Sequence, residues 1–387
     1  MTMELQNRIV QAKKDIEESF NTVTPFGRVY SAGDFGNGFS GLVFNRDVSY
    51  SGILSLNRLY PTEMLESLKT VRAVRSRLGF ACHRACGGLL EGVEGVICEE
   101  LSPAEFFEKY QKASAINKTD DVCWLWCAYD LLSGGDFSIN EWQWMYDNGV
   151  ECFERFYDPF YDETDELYFG QPSFLDVGHN GYPDGWNTPT QENRNRCVWV
   201  KAASTNCLYY KGLCVMAEVA KRLSNGEARR WENKACQLKK AILEHFVRED
   251  GSFAYFIHRD GHMEPRRDAL GTAFAILCDV TDSPELLQGY PVTEQGVPLL
   301  YPFYKRNDYY HNNSSWAFVD TFFLLAQEKL TGSSTAEKNL ELLEDYFIDG
   351  HFYEWRDLRD GQVKGSRAQL WTTAAFLGAV MRLPKQK

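Results

Sequence analysis

Apolar residues follow a helical spacing along much of the chain, and long segments without that spacing separate the helices. No strong series of alternating apolar and polar positions indicates a major sheet, so the pattern predicts an all-α protein. The predicted helices cover about residues 4–19, 47–60, 61–78, 103–115, 120–133, 138–155, 199–223, 226–247, 267–280, 283–289, 312–331, 335–347 and 367–382.

Two kinds of helix alternate along the chain. Segments such as "WAFVDTFFLLA" are apolar on most faces and must be buried, whereas "EARRWENKACQLKKAILEHF" has one apolar face and can cover a buried helix. The order long loop, apolar helix, short turn, amphipathic helix recurs six times if the helix at 103–115 is an insertion and the helix at 4–19 closes the ring. This order predicts an (α/α)6 barrel in a single domain, 1–387, with 79–119 as a long loop that carries an inserted helix. A generic helical bundle or solenoid remains the alternative.

The long loops of such a barrel would all lie at one end, at the start of the inner helices. They occupy about 20–46, 79–119, 156–198, 248–266, 290–311 and 348–366. Loops on a rigid scaffold are where functional sites usually form. Polar and aromatic candidates concentrate in or at the end of these loops: Arg46, Asp47, Asp120, Asp121, Asp176, Asp184, Trp186, Arg266, Arg267, Asp268, His311, Trp316 and Glu354.

Each of these residues also has an ordinary structural explanation. Asp47, Asp120 and Asp268 precede or begin helices, where Asp is a common N-cap. The functional interpretation depends on their convergence, because carboxylates that face one another in an apolar site raise each other's pKa. The third loop is notable since Phe169 to Trp186 contains Asp176 and Asp184 and no Lys or Arg. A protonated acid and an ionised one are the pair that glycoside hydrolysis needs.

Composition narrows the possible partners. The formal net charge of −13 argues against nucleic acid or an anionic membrane as a partner. The chain starts without a signal-peptide pattern and has no apolar run long enough for a membrane span, so we expect a cytoplasmic protein with reduced cysteines. The pairs Cys82/Cys86 and His258/His262 lack the second half of a zinc site, and we expect no metal and no cofactor.

Four segments resemble motifs of the (α/α)6 glycosidases, in the order those families have them. "FNRDVSYSGILSL" resembles their Trp-x-Arg-Asp segment and "SFLDVGHNGYPDGWN" their Ser-Trp-Met-Asp segment. "YHNNSSWAFVDTFFLLA" resembles Tyr-His-x-Gly-x-x-Trp-Pro, and "GSRAQLWTTAAFL" resembles the closing Gly-x-x-x-Gln-x-Trp segment. The families are glycoside hydrolase family 63, the trehalases and the glucosidase domain of glycogen debranching enzymes. The chain departs from them at Phe44, where Trp is usual, and at Val177, where a small residue is common.

The resemblance implies roles for particular residues. Asp176 would be the general acid and Glu354 the general base, while Arg46, Asp47 and Asp121 would hold sugar hydroxyls. The further substrate contacts would come from Trp186, Arg267, His311, Trp316, Gln369 and Trp371. Asp184 is the alternative acid, although it lies in a "PDG" turn where Asp is expected for backbone reasons.

The resemblance therefore implies an inverting, exo-acting hydrolase of a short α-glycoside, either an α-glucoside or an α-mannoside, with no cofactor. The small glycoside would be its only partner, and the sequence does not indicate an oligomeric state. The main alternative is a sugar epimerase of the N-acylglucosamine 2-epimerase type. That enzyme would need a pair of catalytic histidines, for which only His179 and His311 lie in polar company within the long loops. A binding protein without turnover is the third possibility.

Overall fold

A computed structural model describes residues 2–24, 26–33, 43–78, 84–86, 119–175, 180–186, 190–308 and 310–384. The inserted helix predicted at 103–115 lies outside these residues. Of the loop at 79–119, the structure describes only the short strand Arg84–Cys86 and Thr119.

Six inner helices form a closed ring. Each contacts the next along the chain, and the sixth contacts the first, so the predicted (α/α)6 barrel is confirmed. Inner helix one consists of Asn45–Ser51, the π-helical turn Gly52–Leu56 and Asn57–Leu59. Inner helices two to six are Asp120–Ser133, Ala203–Leu223, Ala269–Leu277, Ala317–Thr331 and Leu370–Arg382.

The outer helices pack against this ring. They are Pro61–Leu78, Ile139–Glu151, Ala228–Phe246, Ala336–Glu344 and, closing the ring, Met3–Ser19. The fourth outer position holds only the 3-10 turn Pro284–Leu286, so the helix predicted at 283–289 is wrong. The five residues from Pro284 to Gln288, before the Gly-x-Pro at 289–291, are too few to repay the cost of helix nucleation.

Burial separates the two rings as the sequence predicts. Every residue from Leu370 to Ala379 on inner helix six is buried. In contrast, the helix Ala228–Phe246 buries one face, at Trp231, Ala235, Leu238, Ile242 and Phe246. This spacing of three or four residues is that of a helix with one face on the core and the other in solvent.

Two glycines let the first, second and sixth inner helices approach closely. A Cβ at Gly378 would lie 2.5 Å from the carbonyl oxygen of Leu54, and one at Gly52 would lie 2.4 Å from Cys127 Sγ. Gly52 also begins the π-helical turn, a local widening that often marks functional regions of helices. Any larger side chain at either position would force the inner helices apart.

Short strands lie in the loops, a feature that the all-α prediction missed. In the largest sheet, His351–Asp357 pairs antiparallel with Ser314–Trp316, Phe347–Ile348 and Val363–Arg367. The other strands are Thr22–Thr24, Gly27–Val29, Val43–Phe44, Arg84–Cys86, Tyr161–Asp162, Leu167–Tyr168, Val200–Ala202, Phe256–His258, Met263–Glu264, Arg267–Asp268 and Leu300–Tyr301. A further short helix, Gln191–Val198, a π-helical turn, Cys152–Tyr157, and a 3-10 turn, Asp158–Phe160, complete the described elements.

Aromatic rings fill the interior of the barrel. The Tyr50 ring lies 6.0 Å from that of Phe274, which connects inner helices one and four, and the Trp126 ring lies 6.0 Å from that of Phe322, which connects helices two and five. Phe322 also contacts Tyr50 and Phe274, at 5.2 and 5.4 Å. Since each of the first two contacts joins opposite sides of the ring, these four residues close its interior. We call them the aromatic floor.

Candidate active site

Asp47, Asp120 and Asp268 begin inner helices, but only Asp268 acts as a helix cap. Its Oδ2 accepts a hydrogen bond from the Gly271 amide at 3.0 Å. Asp47 lies inside the first turn of inner helix one, and Asp120 is the first residue of inner helix two, with neither at the cap position. Capping therefore does not explain why Asp47 and Asp120 are buried.

Arg46 connects the first three loop regions. Its Nε lies 3.8 Å from Asp120 Oδ2, and its Nη1 donates to the carbonyl oxygen of Ser173 in the third loop. Asp47 accepts a hydrogen bond from Gln369 Nε2 at 3.2 Å, which adds the end of the sixth loop. The structure thus brings together residues that are more than 320 positions apart in the sequence.

The carboxyl group of Asp47 is in an environment that disfavours its ionised form. Burial raises the pKa of Asp47 well above its ordinary value, and the charge of Arg46 opposes that effect. The negative charges of Glu354 and Asp120 raise it further. Arg46 therefore faces several acids, an arrangement that does not favour folding and is typical of functional sites.

Glu354 is held at both carboxylate oxygens. It lies on the strand His351–Asp357 and is only 3% exposed. Its Oε2 accepts from the Ser366 amide at 2.9 Å and the Ser366 hydroxyl at 3.2 Å, and its Oε1 accepts from the Tyr310 hydroxyl at 3.0 Å. Burial raises the pKa of Glu354, and these three hydrogen bonds oppose the rise because they favour the carboxylate.

A glycine makes room for this carboxyl group. Gly365 has a φ of +90°, which favours glycine, and a Cβ there would lie 2.3 Å from Glu354 Oε2. The strand Val363–Arg367 can therefore pass beside Glu354 only because position 365 has no side chain.

Aromatic residues surround the polar cluster. The Phe174 ring lies 4.9 Å from His311, 4.6 Å from Trp316 and 5.5 Å from Trp371. Trp371 is stacked on Phe318, with ring centroids 4.3 Å apart, so one face of its indole is covered. Its buried Nε1 has no hydrogen-bond partner among the described residues. Trp371 therefore offers an N–H donor, while one face of its indole is already taken by Phe318.

Asp121 lies apart from this cluster. Its Oδ1 is 3.3 Å from Arg72 Nη1 on the first outer helix, and Arg72 also contacts Glu151 on the second. Its backbone N–H donates to the Tyr157 hydroxyl. Asp120, one residue earlier, is the acid beside Arg46, whereas the resemblance implied Asp121 as the substrate contact.

Two other predicted substrate contacts have protein partners elsewhere. Arg267 donates to the backbone carbonyl of Gln288 at 2.9 Å and to that of Leu286, and so it anchors the fourth outer turn. Trp186 is stacked on Phe256 at 5.9 Å, in the hairpin of the fourth loop. Neither contacts Asp47, Glu354 or their partners through any described interaction.

Asp184 forms an ion pair at the surface. Its side chain is 82% exposed and lies 2.5 Å from Arg306 of the fifth loop. The segment from Phe169 to Trp186 contains no Lys or Arg, but the fold brings a cation to Asp184 from the fifth loop. Asp184 therefore lies at the surface, outside the buried cluster around Glu354 and Asp47.

Asp176 and His179 lie outside the described residues, but the segment before them does not. Ser173 receives the hydrogen bond from Arg46, Phe174 packs on Trp316, and the Leu175 carbonyl accepts from Tyr182 Oη at 3.0 Å. Asp176 therefore follows directly after residues that form part of the cluster.

Sequence reasoning did not single out Tyr310, Ser366 or Phe174 as site residues, although Tyr310 and Phe174 lie in the quoted motifs. The sequence could have indicated Tyr310, because this residue is the first of the "YHNNSSW" segment that resembles a family motif. Ser366 has no signal of its own, since its role depends on the hairpin that brings it opposite Glu354.

The fold matches solved glycosidase structures along nearly the whole chain. One is a family 63 mannosylglycerate hydrolase from Thermus thermophilus, in complex with Tris and D-glycerate, at 12% identity and a TM-score of 0.66, covering 96% of this chain and 100% of that chain. A glycosidase variant in complex with glucose matches at 13% identity and a TM-score of 0.65, with 98% of each chain covered. A neutral trehalase from Saccharomyces cerevisiae matches at 12% identity and a TM-score of 0.64, covering 93% of this chain and 74% of that chain.

These matches confirm, at the level of the fold, the resemblance that the sequence motifs indicated. No protein-family model matches the sequence, and no curated protein sequence matches it either. Within the described part of the chain, no helix is both long and apolar enough to span a membrane.

Proposed function

We propose that the protein is a glycoside hydrolase that cleaves a short α-glucoside or α-mannoside from its non-reducing end, with inversion. The placement of Glu354 carries this proposal. Its carboxylate is buried and oriented through both oxygens, and it lies near Asp47 within a cluster of aromatic side chains. A positioned carboxylate beside hydroxyl-binding polar groups and aromatic rings is the arrangement that a sugar site requires.

The matched structures support a small sugar as the ligand. One of these glycosidases is in complex with glucose and the family 63 enzyme is in complex with D-glycerate, both small polar molecules. The aromatic floor supports exo action, because it closes the interior of the barrel below the polar cluster. A sugar chain could then enter from the loop end only, with its terminal residue first.

The proposed reaction uses two carboxyl groups. Asp176, in its protonated form, donates its proton to the glycosidic oxygen as the bond from that oxygen to C1 breaks. Glu354, as the carboxylate, takes a proton from a water molecule whose oxygen bonds to C1 on the opposite face of the ring. The products are the free alcohol and a sugar of inverted configuration, and the two carboxyl groups return to their starting states by proton exchange with solvent. Room for the water requires a separation of roughly 6.5–9.5 Å between the carboxyls.

Arg46, Asp47 and Gln369 would hold hydroxyl groups of the sugar that is cleaved. Arg46 and Asp47 are both buried, and the charged guanidinium of Arg46 gives strong hydrogen bonds with fixed direction to a polyhydroxylated ring. Gln369 is oriented by its hydrogen bond to Asp47, and its Oε1 has no hydrogen-bond partner among the described residues. That oxygen could accept a hydrogen bond from a sugar hydroxyl.

The role of Asp176 can be tested with two leaving groups. A panel of α-glucosides and α-mannosides, including disaccharides and glycerate glycosides, first identifies a substrate. The kcat of Asp176→Asn is then compared with that of the wild type, on that substrate and on the corresponding α-glycosyl fluoride. We expect a fall in kcat of about 10²–10⁴-fold on the glycoside, whose leaving group needs a proton, and a much smaller fall on the fluoride, which does not.

Glu354→Gln serves as the matched control, because the loss of the base should slow the hydrolysis of both substrates. Equal losses on glycoside and fluoride for Asp176→Asn would remove Asp176 from the acid role. If proton NMR shows a new free sugar without cleavage of any glycosidic bond, the protein is an epimerase instead. Absence of turnover across the whole panel would favour a binding protein.

A further inference from the structure

Tyr310 occupies an unusual backbone conformation next to the candidate base. Its φ is +74°, a region that bulky L-residues rarely adopt and that persists only where the surroundings enforce it. Such conformations cluster at functional sites, and here the observation is specific: the phenol of this residue donates to Glu354 Oε1 at 3.0 Å.

Both ends of Tyr310 are fixed. Its carbonyl oxygen accepts from Trp316 Nε1 at 3.1 Å and from the Ser314 hydroxyl. Its ring meets Trp316 edge-on at 5.0 Å and Trp355 edge-on at 5.6 Å. Trp316 and Trp355 are partners across the two strands that carry them, so the ring is held by the same sheet that holds Glu354.

The two carboxylate oxygens of Glu354 differ in how many further hydrogen bonds each can accept. Oε2 receives two donors from Ser366, whereas Oε1 receives only the Tyr310 hydroxyl among the described residues. A carboxylate oxygen can accept two hydrogen bonds, so Oε1 keeps one position open. The direction of the Tyr310 hydrogen bond sets where that open position points.

From this geometry we propose that Tyr310 is a positioning residue, which orients Oε1 of Glu354 towards the nucleophilic water; the inference rests on the proposed hydrolytic function. Burial and the charge of Glu354 both raise the pKa of Tyr310, so the phenol stays protonated and remains a donor. Among the described residues, Asp47 on inner helix one also faces Glu354, with Arg46 and Asp120 beside it, and the His311 ring lies 4.9 Å from that of Tyr310.

The test compares two tyrosines of the same loop. Tyr310→Phe removes only the hydroxyl that donates to Glu354. Tyr304→Phe is the matched control, because the Tyr304 hydroxyl is buried and has no hydrogen-bond partner among the described residues. The dependence of kcat/KM on pH is measured for both variants and the wild type, with the α-glycosyl fluoride or glycoside that the wild type cleaves best. Thermal unfolding verifies that each variant is folded.

We expect the acidic limb of the Tyr310→Phe profile to move to higher pH by about one unit, because loss of a donor to the carboxylate raises its pKa. We expect kcat to fall by about tenfold as the base loses its orientation, with KM little changed. Tyr304→Phe should reproduce the wild-type profile. Ser366→Ala, which removes a donor from Oε2, should move the same limb in the same direction, and it provides the test if Tyr310→Phe does not fold.

An unmoved acidic limb in folded Tyr310→Phe, or an equal movement in Tyr304→Phe, overturns the inference. If Glu354→Gln is inactive while the Tyr310→Phe limb stays in place, only the role of Tyr310 is wrong. If Glu354→Gln retains activity, the proposed function itself is wrong.

Discussion

Two regions near Trp316 bury a carboxyl group, and they use it differently. On inner helix five, Asp320 accepts hydrogen bonds from the Val297 amide at 2.7 Å, the Ser315 hydroxyl at 2.8 Å and the Tyr346 hydroxyl at 3.3 Å. These donors connect the fifth loop and the segment after the fifth outer helix to the inner ring. In the hairpin of His351–Asp357 and Val363–Arg367, both oxygens of Glu354 also accept hydrogen bonds. Glu354, however, lies beside Asp47 and near Arg46 and Gln369.

The difference shows that burial of an acid does not by itself identify a catalytic site. Burial raises the pKa of both carboxyls. Asp320 gains donors from several elements, so its place in the fold is explained by the contacts that it makes. The group around Asp47 faces like charges, which folding alone does not favour, and it is therefore the better candidate for function.

The largest expected effect compares the same chemical change in the two regions. Glu354→Gln should lower kcat by about 10²–10⁴-fold, because the amide cannot accept the proton of the water. Asp320→Asn should keep activity within a few-fold of the wild type, since an amide can retain the hydrogen bonds to Val297 and Ser315. Steady-state kinetics on the identified glycoside measures both. Comparable losses in the two variants would mean that the distinction between the regions is not a functional one.

A smaller effect concerns the pH dependence of stability. Burial raises the pKa of Asp320 to about 6, above its ordinary value of 3.8. A group with a raised folded-state pKa contributes stability that is present below its ordinary pKa and is lost as the pH rises through the folded-state value. The unfolding free energy of the wild type relative to Asp320→Asn should therefore fall by about 1–3 kcal/mol between about pH 4 and 6. Denaturant titrations at each pH measure the difference, and a constant difference across this range would contradict the prediction.

The smallest effect is expected at the surface of the third loop. Asp184→Asn removes an ion pair with Arg306 from a carboxyl that is largely exposed. Such pairs contribute about 0–1 kcal/mol, and kcat should stay within about twofold of the wild type. A loss as large as that of Asp176→Asn would identify Asp184 as the acid and reverse the assignment of the two residues.

The sequence predicted the fold where local pattern determines it. Apolar segments such as "WAFVDTFFLLA" have no face that tolerates solvent, so their burial in an inner ring follows from composition. The failed helix at 283–289 is a short segment between prolines, where periodicity over seven residues carries little information. The hairpin of Glu354 was missed because neither strand alternates regularly between apolar and polar residues: His351–Asp357 is mostly buried, and Val363–Arg367 has one buried residue.

The site could be predicted only in part, because it depends on contacts between distant segments. Asp120 and Asp121 are adjacent, and which of them faces Arg46 depends on a helix rotation of about 100° per residue. Arg306 lies 122 residues after Asp184, so the third loop alone could not reveal its cation. The structure brings Arg46, Asp47, Glu354 and Gln369 together, whereas their roles in binding and catalysis stay predictions.

The stereochemical course of the reaction tests the central proposal most directly. Proton NMR during the first minutes of hydrolysis of the α-glycoside identifies which anomer of the free sugar forms before mutarotation. Inversion by Asp176 and Glu354 predicts that the β-anomer appears first and the α-anomer later. An α-anomer that appears first would contradict the inverting mechanism and the role of Glu354 as the base that activates water.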